Sequence, residues 1–212
     1  MLTLTTDAFV LLRRPSTSDA FQALSMFSGE HGELFVLQRV SKSRTPRKGG
    51  AGAALDLFNE VAVTLESPNQ GRTWFVREAR VLRGATGIGK SYEALKNASE
   101  FAALVARNAV AAESRARVHA LLRQAFGAFA GAPRPDVAFV KSVYCLARDE
   151  GYPVRQQWMA SLGAADREAL ATLLNKPLAE QTAGAGVVAG LRESLLAWLR
   201  AETEILADPW RA

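Results

Sequence analysis

The chain has 212 residues, 49% of them hydrophobic, with a formal net charge of +5 and a single cysteine, Cys145. That apolar content supports a packed core and excludes wholesale disorder, while one cysteine excludes an internal disulfide or a metal site of several thiolates and suits a reducing cytoplasm. The opening Met1-Leu2-Thr3-Leu4-Thr5-Thr6-Asp7 lacks the basic start and apolar run of a secretory leader, and no apolar stretch reaches the ~20 residues of a membrane helix.

Residues 8–13 read as a short apolar strand stopped by Arg14-Pro15, because proline cannot donate to a sheet ladder. Residues 21–27 alternate loosely, with Phe21, Ala23, Ser25 and Phe27 set against Gln22, Leu24 and Met26. Ser28-Gly29-Glu30-His31-Gly32 is a turn signal and predicts a hairpin to a strand over 34–40. Residues 41–54, rich in Ser, Lys, Arg, Gly and Pro, read as a loop. A strand over 55–65 puts Val61, Val63 and Leu65 on one face; Ser67-Pro68-Asn69-Gln70-Gly71 turns the chain, and residues 72–82 form a fifth strand. Short strands joined mostly by tight turns suit a small closed barrel, and a five-stranded OB barrel over 1–83 is expected.

After Gly84 the pattern becomes helical. A helix over 92–111 carries Leu95, Phe101, Leu104 and Val105 at the spacing of a buried face, and 113–129 continues with Val118, Leu121, Leu122, Ala125, Phe126 and Phe129. Gly131-Ala132-Pro133-Arg134-Pro135 breaks the run, and Asp136 is the expected N-cap of a third helix reaching Glu150, ended by Gly151-Tyr152-Pro153. Two further helices are predicted over 164–174 and 187–206. The division is thus a barrel over 1–83, a linker over 84–91 and a helical domain over 92–212, an α+β arrangement.

Two motifs carry chemistry. Gly84-Ala85-Thr86-Gly87-Ile88-Gly89-Lys90-Ser91 fits the phosphate-loop pattern, in which backbone N–H groups cradle phosphate, lysine neutralises it and serine ligates Mg²⁺. That fold needs a parallel sheet of alternating strands and helices, whereas here the strands precede the helices. A glycine-rich linker in which Ser91 caps the next helix accounts for the same string. The second motif is the run Arg39, Lys42, Arg44, Arg47 and Lys48, which has no acidic residue within it, while beyond Glu150 acidic side chains outnumber basic ones. Basic side chains on a barrel loop can follow a phosphate backbone, and Arg13, Arg14 and Arg72, with Arg77 and Arg80, could extend the surface. Phe35, Trp74 and Phe75 are either base-stacking residues or core.

Catalytic groupings are scarce. His31 and His119 have no partners at ligand spacing, and Cys145 on the apolar side of a helix reads as a small hydrophobe. No catalytic residue, metal or cofactor is expected.

The order of features resembles the RecO family of bacterial recombination mediators. Ala8-Phe9-Val10-Leu11, Arg14-Pro15-Ser16 and Leu24-Ser25-Met26-Phe27-Ser28 are similar to the start of that family, as is Gly32-Glu33-Leu34-Phe35-Val36-Leu37 leading into the basic run. Leu55-Asp56-Leu57-Phe58, the stretch 71–81, Tyr92-Glu93-Ala94-Leu95 and the helix ending at Gly151-Tyr152 continue the resemblance, which covers most of 8–155. It implies an N-terminal OB fold, a C-terminal helical domain, binding of single- and double-stranded DNA, strand annealing, and partnership with RecR and the tail of single-strand-binding protein, without nucleotide hydrolysis. The chain departs from the many relatives that carry a four-cysteine zinc site after the Gly-Tyr helix, since 155–165 contains no cysteine. Zinc is therefore not expected. The leading expectation is DNA binding through Arg39, Lys42, Arg44, Arg47 and Lys48, helped by Arg13, Arg14 and Arg72. The alternatives are a nucleotide-binding protein using Lys90 and Ser91, and a protein-interaction module whose barrel has lost its nucleic-acid role.

Overall fold

The computed structural model describes residues 1–16, 18–40 and 55–208. They form two compact units, Met1–Ala85 with Ala109–Ala120, and Thr86–Asn108 with Leu121–Ala212. The barrel unit thus runs slightly past residue 83, and residues 109–120 belong to it rather than to the helical unit.

The first unit contains β1 (Leu2–Arg14), β2 (Phe21–Ser28), β3 (Gly32–Arg39), β4 (Glu60–Ser67) and β5 (Trp74–Arg83). The order β1-β2-β3-β5-β4 closes on itself as a barrel. Every pair is antiparallel except β3 with β5, where Val36 lies beside Trp74 and Leu37 beside Phe75. β1 is longer than the apolar run 8–13 implied, because its first half pairs with β4 and its second half with β2, with an irregularity between Val10 and Leu12. Alternation sends Ala8, Val10, Leu24, Met26, Val36, Val61, Val63 and Leu65 into the barrel core.

Turn chemistry sets the hairpins. Between β2 and β3 the Ser28 hydroxyl accepts from the Glu30 and His31 amides, and Gly32 has φ of 73°. That left-handed φ favours glycine, and a side chain there would also have to displace the flexible Arg115 side chain, whose Nε would lie 2.8 Å away. Between β4 and β5, Ser67 Oγ accepts from the Gly71 amide at 2.8 Å and Asn69 Oδ1 from the Thr73 amide at 2.9 Å. The strand predicted over 55–65 starts only at Glu60. Asp56 accepts from its neighbour Leu57, and Phe58 adopts a φ of 67° while its amide bonds to the Val10 carbonyl. These local bonds hold 55–59 as a turn.

The second unit contains α1 (Tyr92–Arg107), part of α2 (Arg115–Gly131), α3 (Pro135–Asp149), the single turn α4 (Trp158–Ser161), α5 (Ala164–Asn175) and α6 (Ala185–Glu202). The N-terminal residues of α2, to Ala120, belong to the barrel unit. Apolar spacing brings Phe101, Leu122, Phe129, Val140, Trp158, Leu170, Leu191 and Leu199 into its interior. Trp158, which no helix signal had marked, is 1% exposed and donates its indole N–H to Ser194 Oγ at 3.0 Å. Asp136 is not an N-cap. The helix begins one residue earlier at Pro135, with Arg134 in the cap position, because proline's fixed φ and missing N–H suit a first helical residue. Among the described residues no helix is long and apolar enough to cross a membrane.

Candidate nucleic-acid interface

With Leu24, Met26, Leu34 and Val36 turned inward, alternation turns Phe21, Ala23 and Ser25 of β2 and Phe35, Leu37 and Arg39 of β3 to the outer face. Register places Ser25 opposite Phe35, Ala23 opposite Leu37 and Phe21 opposite Arg39, and Leu37 lies beside Phe75 of β5. Phe35 is 43% exposed and Arg39 is exposed. Phe75 is half-buried, its ring edge-on to Phe21 with centroids 5.6 Å apart. Trp74 faces the other way and packs against the barrel core, so of the three aromatic candidates it is the core residue.

Arg14 lies over this face. Its Nε and Nη2 donate to Ser25 Oγ at 3.2 and 3.1 Å, Nη2 also reaches Glu33 Oε1 at 3.2 Å, and Ser25 Oγ donates to the same carboxylate oxygen at 2.8 Å. Ser25 is fully buried beneath, so a fixed hydroxyl holds a fixed cation. The Ser25–Glu33 link escaped sequence reading, although their odd-numbered places on paired strands put both on the outer face.

The remaining candidates lie apart. Arg13 pairs with Asp56 at 3.1 Å, both side chains well exposed. Arg72 is exposed just before β5. Arg77 pairs with Glu66, and the Glu66 bond first, then its charge, raises the guanidinium's pKa. Together with Arg80 it borders a shallow depression floored by Thr5, Ala62 and Thr64 on the β1–β4–β5 side. Lys42, Arg44, Arg47 and Lys48 lie outside the described residues.

The barrel unit also holds a charged group that neither spacing nor motif announced. Glu60 is 3% exposed, with Arg83 Nε at 3.5 Å and His119 Nε2 at 3.9 Å. The His119 ring leans on Phe9 with centroids 5.0 Å apart. His31 stays in its turn, 3.5 Å from Glu30. Among the described residues no three His, Cys, Asp or Glu side chains are grouped to hold a metal ion.

The glycine-rich string does not form a phosphate cradle of the strand–loop–helix kind. The strand before it, β5, is antiparallel to β4, and 88–90 form a tight helical turn with Ile88 buried. Ser91 Oγ accepts from the Ala94 amide at 3.3 Å and caps α1. In the helical unit a pocket of about 230 Å³ is lined by Arg107, Arg192 and Arg200 beside Phe139. Arg192 lies 4.1 Å over the Phe139 ring and bonds Asn97 and Glu100, while Arg107 and Arg200 donate to the carbonyls of Asp208 and Ala207. Those bonds tie down the chain beyond α6. Cys145 is half-buried, and burial pushes its thiol pKa up, so at neutral pH it is protonated and a poor nucleophile.

No protein-family model matches the chain, and no curated protein sequence matches it.

Proposed function

We propose that this chain is a RecO-like DNA-binding protein that binds and anneals strands without hydrolysing a nucleotide, acting in the cytoplasm through an OB barrel. The observation that carries the reading is the outer β2–β3 face, where an exposed Phe35 lies opposite Ser25, the residue that holds Arg14 of β1, and Arg39 lies further along its own strand. Support for the OB form comes from the strand order β1-β2-β3-β5-β4 and its parallel β3–β5 pair; in that fold the face of strands 2 and 3 meets oligonucleotides. Arg39 ends β3 on this face and opens the basic run of the sequence, which continues with Lys42, Arg44, Arg47 and Lys48. These five take phosphates, while Phe35 offers a ring to an unpaired base. Arg14 and Arg72 are the secondary cations; Arg13, engaged with Asp56, contributes least. Partnership with RecR and the tail of single-strand-binding protein belongs to the same proposal and rests on the family resemblance alone.

Fluorescence-anisotropy titration of labelled single-stranded and duplex DNA across a salt series tests this. The expected result is binding whose logarithm falls linearly with log salt. A variant with the five loop cations neutralised should lose slope by about 0.7 for each single-strand phosphate contact removed. An unchanged slope would dismiss the loop, and no binding at low salt would dismiss the function.

A further inference from the structure

Resting on the nucleic-acid reading above, we infer that Glu33 limits the affinity of its own site by occupying Arg14, the cation that phosphate would otherwise take. A bound strand exchanges the Glu33 carboxylate for a phosphate oxygen.

Arg14 and Glu33 are each partly open to water, with side chains 39% and 45% exposed, so a phosphate can reach the pair. Arg14 is nevertheless fixed, because Ser25 Oγ accepts from both its Nε and Nη2 and is itself buried. That anchor does not depend on Glu33: if the carboxylate swings away, the guanidinium stays on the outer face, bonded to Ser25. Among the described residues, Glu33, in contrast, is held through Arg14 and the Ser25 hydroxyl, and both bonds use its Oε1. A carboxylate and a phosphate oxygen have the same charge and accept the same N–H donors, so they compete for one guanidinium. Arg39 at the far end of β3 has no such competitor among the described residues, and it is exposed. Among its described residues the face thus has Arg39 open to water and Arg14 held in reserve. This arrangement favours moderate affinity, which suits a protein that must release the strands it pairs.

The test is a double-mutant cycle on the full chain: wild type, Glu33→Gln, Arg14→Gln and the double variant, each titrated against labelled oligothymidylate over a salt series. Glutamine keeps the size of Glu33 and can still accept from Ser25, so folding is spared; thermal melts check each variant. Glu33→Gln should tighten binding roughly three- to tenfold at low salt and steepen the salt slope by about 0.7, the signature of one added phosphate contact. In the Arg14→Gln background the same change should leave both nearly unaltered. An equal gain in both backgrounds would overturn the inference, since removing any negative charge would then suffice. No gain in either would overturn it too, because Arg14 would not be a phosphate ligand. Both failures leave wild-type binding intact and so differ from failure of the proposed function, in which wild type binds no DNA.

Discussion

A β-carbon placed on Gly87 would stand 2.2 Å from the carbonyl oxygen of Ala130, inside the contact distance of any real side chain. Glycine at this position of the phosphate-loop-like string is explained by close packing of two backbones within the helical unit. Gly87→Ala should destabilise the protein by about 1–3 kcal/mol, the usual cost of forcing atoms into a filled space. Lys90 is exposed, and Lys90→Ala should change stability by less than about 0.5 kcal/mol. Urea denaturation of both variants checks the contrast. ATP binding that Lys90→Ala abolishes would restore the nucleotide reading.

Phe35 and Trp74 separate a surface ring from a core ring. Phe35→Ala should leave the melting temperature nearly unchanged and weaken single-stranded DNA binding by about 1–3 kcal/mol, with a smaller effect on duplex, whose bases are already stacked. Trp74→Ala removes a ring packed on the barrel core and should cost about 3–5 kcal/mol of stability. Anisotropy and thermal melts on the pair decide the assignment. If Phe35→Ala lowers stability as much as Trp74→Ala, its ring is structural.

The strand and helix order was readable because period and punctuation agree along most of the chain. Val61, Val63 and Leu65 alternate into the core as their spacing says, and Gly151, with φ of 86°, ends α3 where glycine was expected to stop it. What failed to read was set by contacts distant in sequence. Phe58 takes a left-handed conformation that aromatic residues avoid, and its amide is held by the Val10 carbonyl, so the start of β4 could not be placed from local pattern. Residues 109–120 carry helical texture yet group with the barrel, where His119 meets Phe9 and Glu60. The outer-face aromatic was visible as a candidate, but whether Phe35 or Trp74 faces water depends on inward residues that both β2 and β3 supply. The Arg14–Ser25–Glu33 network joins two hairpin strands to a third, so no window of sequence contains it.

Asp136 gives the helical unit an acid-sensitive contact. Burial acts to raise its carboxyl pKa, but the Arg134 hydrogen bond, the Val137 amide and the Arg134 charge together hold it below the usual carboxylate value. A carboxylate depressed in the folded state stabilises above its unfolded pKa, and that contribution is lost as pH falls through the folded pKa. Asp136 is also in the first turn of α3, where negative charge is favoured. Asp136→Asn should cost about 1 kcal/mol at neutral pH, with the difference from wild type shrinking below about pH 4. Denaturation midpoints measured from pH 7 to pH 3 check the sign; a difference that grows on acidification would contradict it.

The charges around Glu60 should respond asymmetrically to substitution. Arg83 has a side chain 62% exposed, whereas Glu60 is buried at 3%. Removing the carboxylate as Glu60→Gln returns Arg83 to water and keeps the shape of the site, so the loss should be about 1 kcal/mol. Removing the arginine instead leaves the carboxylate in its buried place with one cation fewer. Arg83→Ala should therefore cost more, about 2–3 kcal/mol, because removing one partner of an ion pair is costly when the other charge stays buried. In the Glu60→Gln background the arginine has no buried charge to serve, and Arg83→Ala should then cost less than about 0.5 kcal/mol. Chemical denaturation of the two single variants and the double completes the cycle. Equal losses for Arg83→Ala in both backgrounds would mean that the arginine stabilises the barrel by packing its stem and not by compensating Glu60.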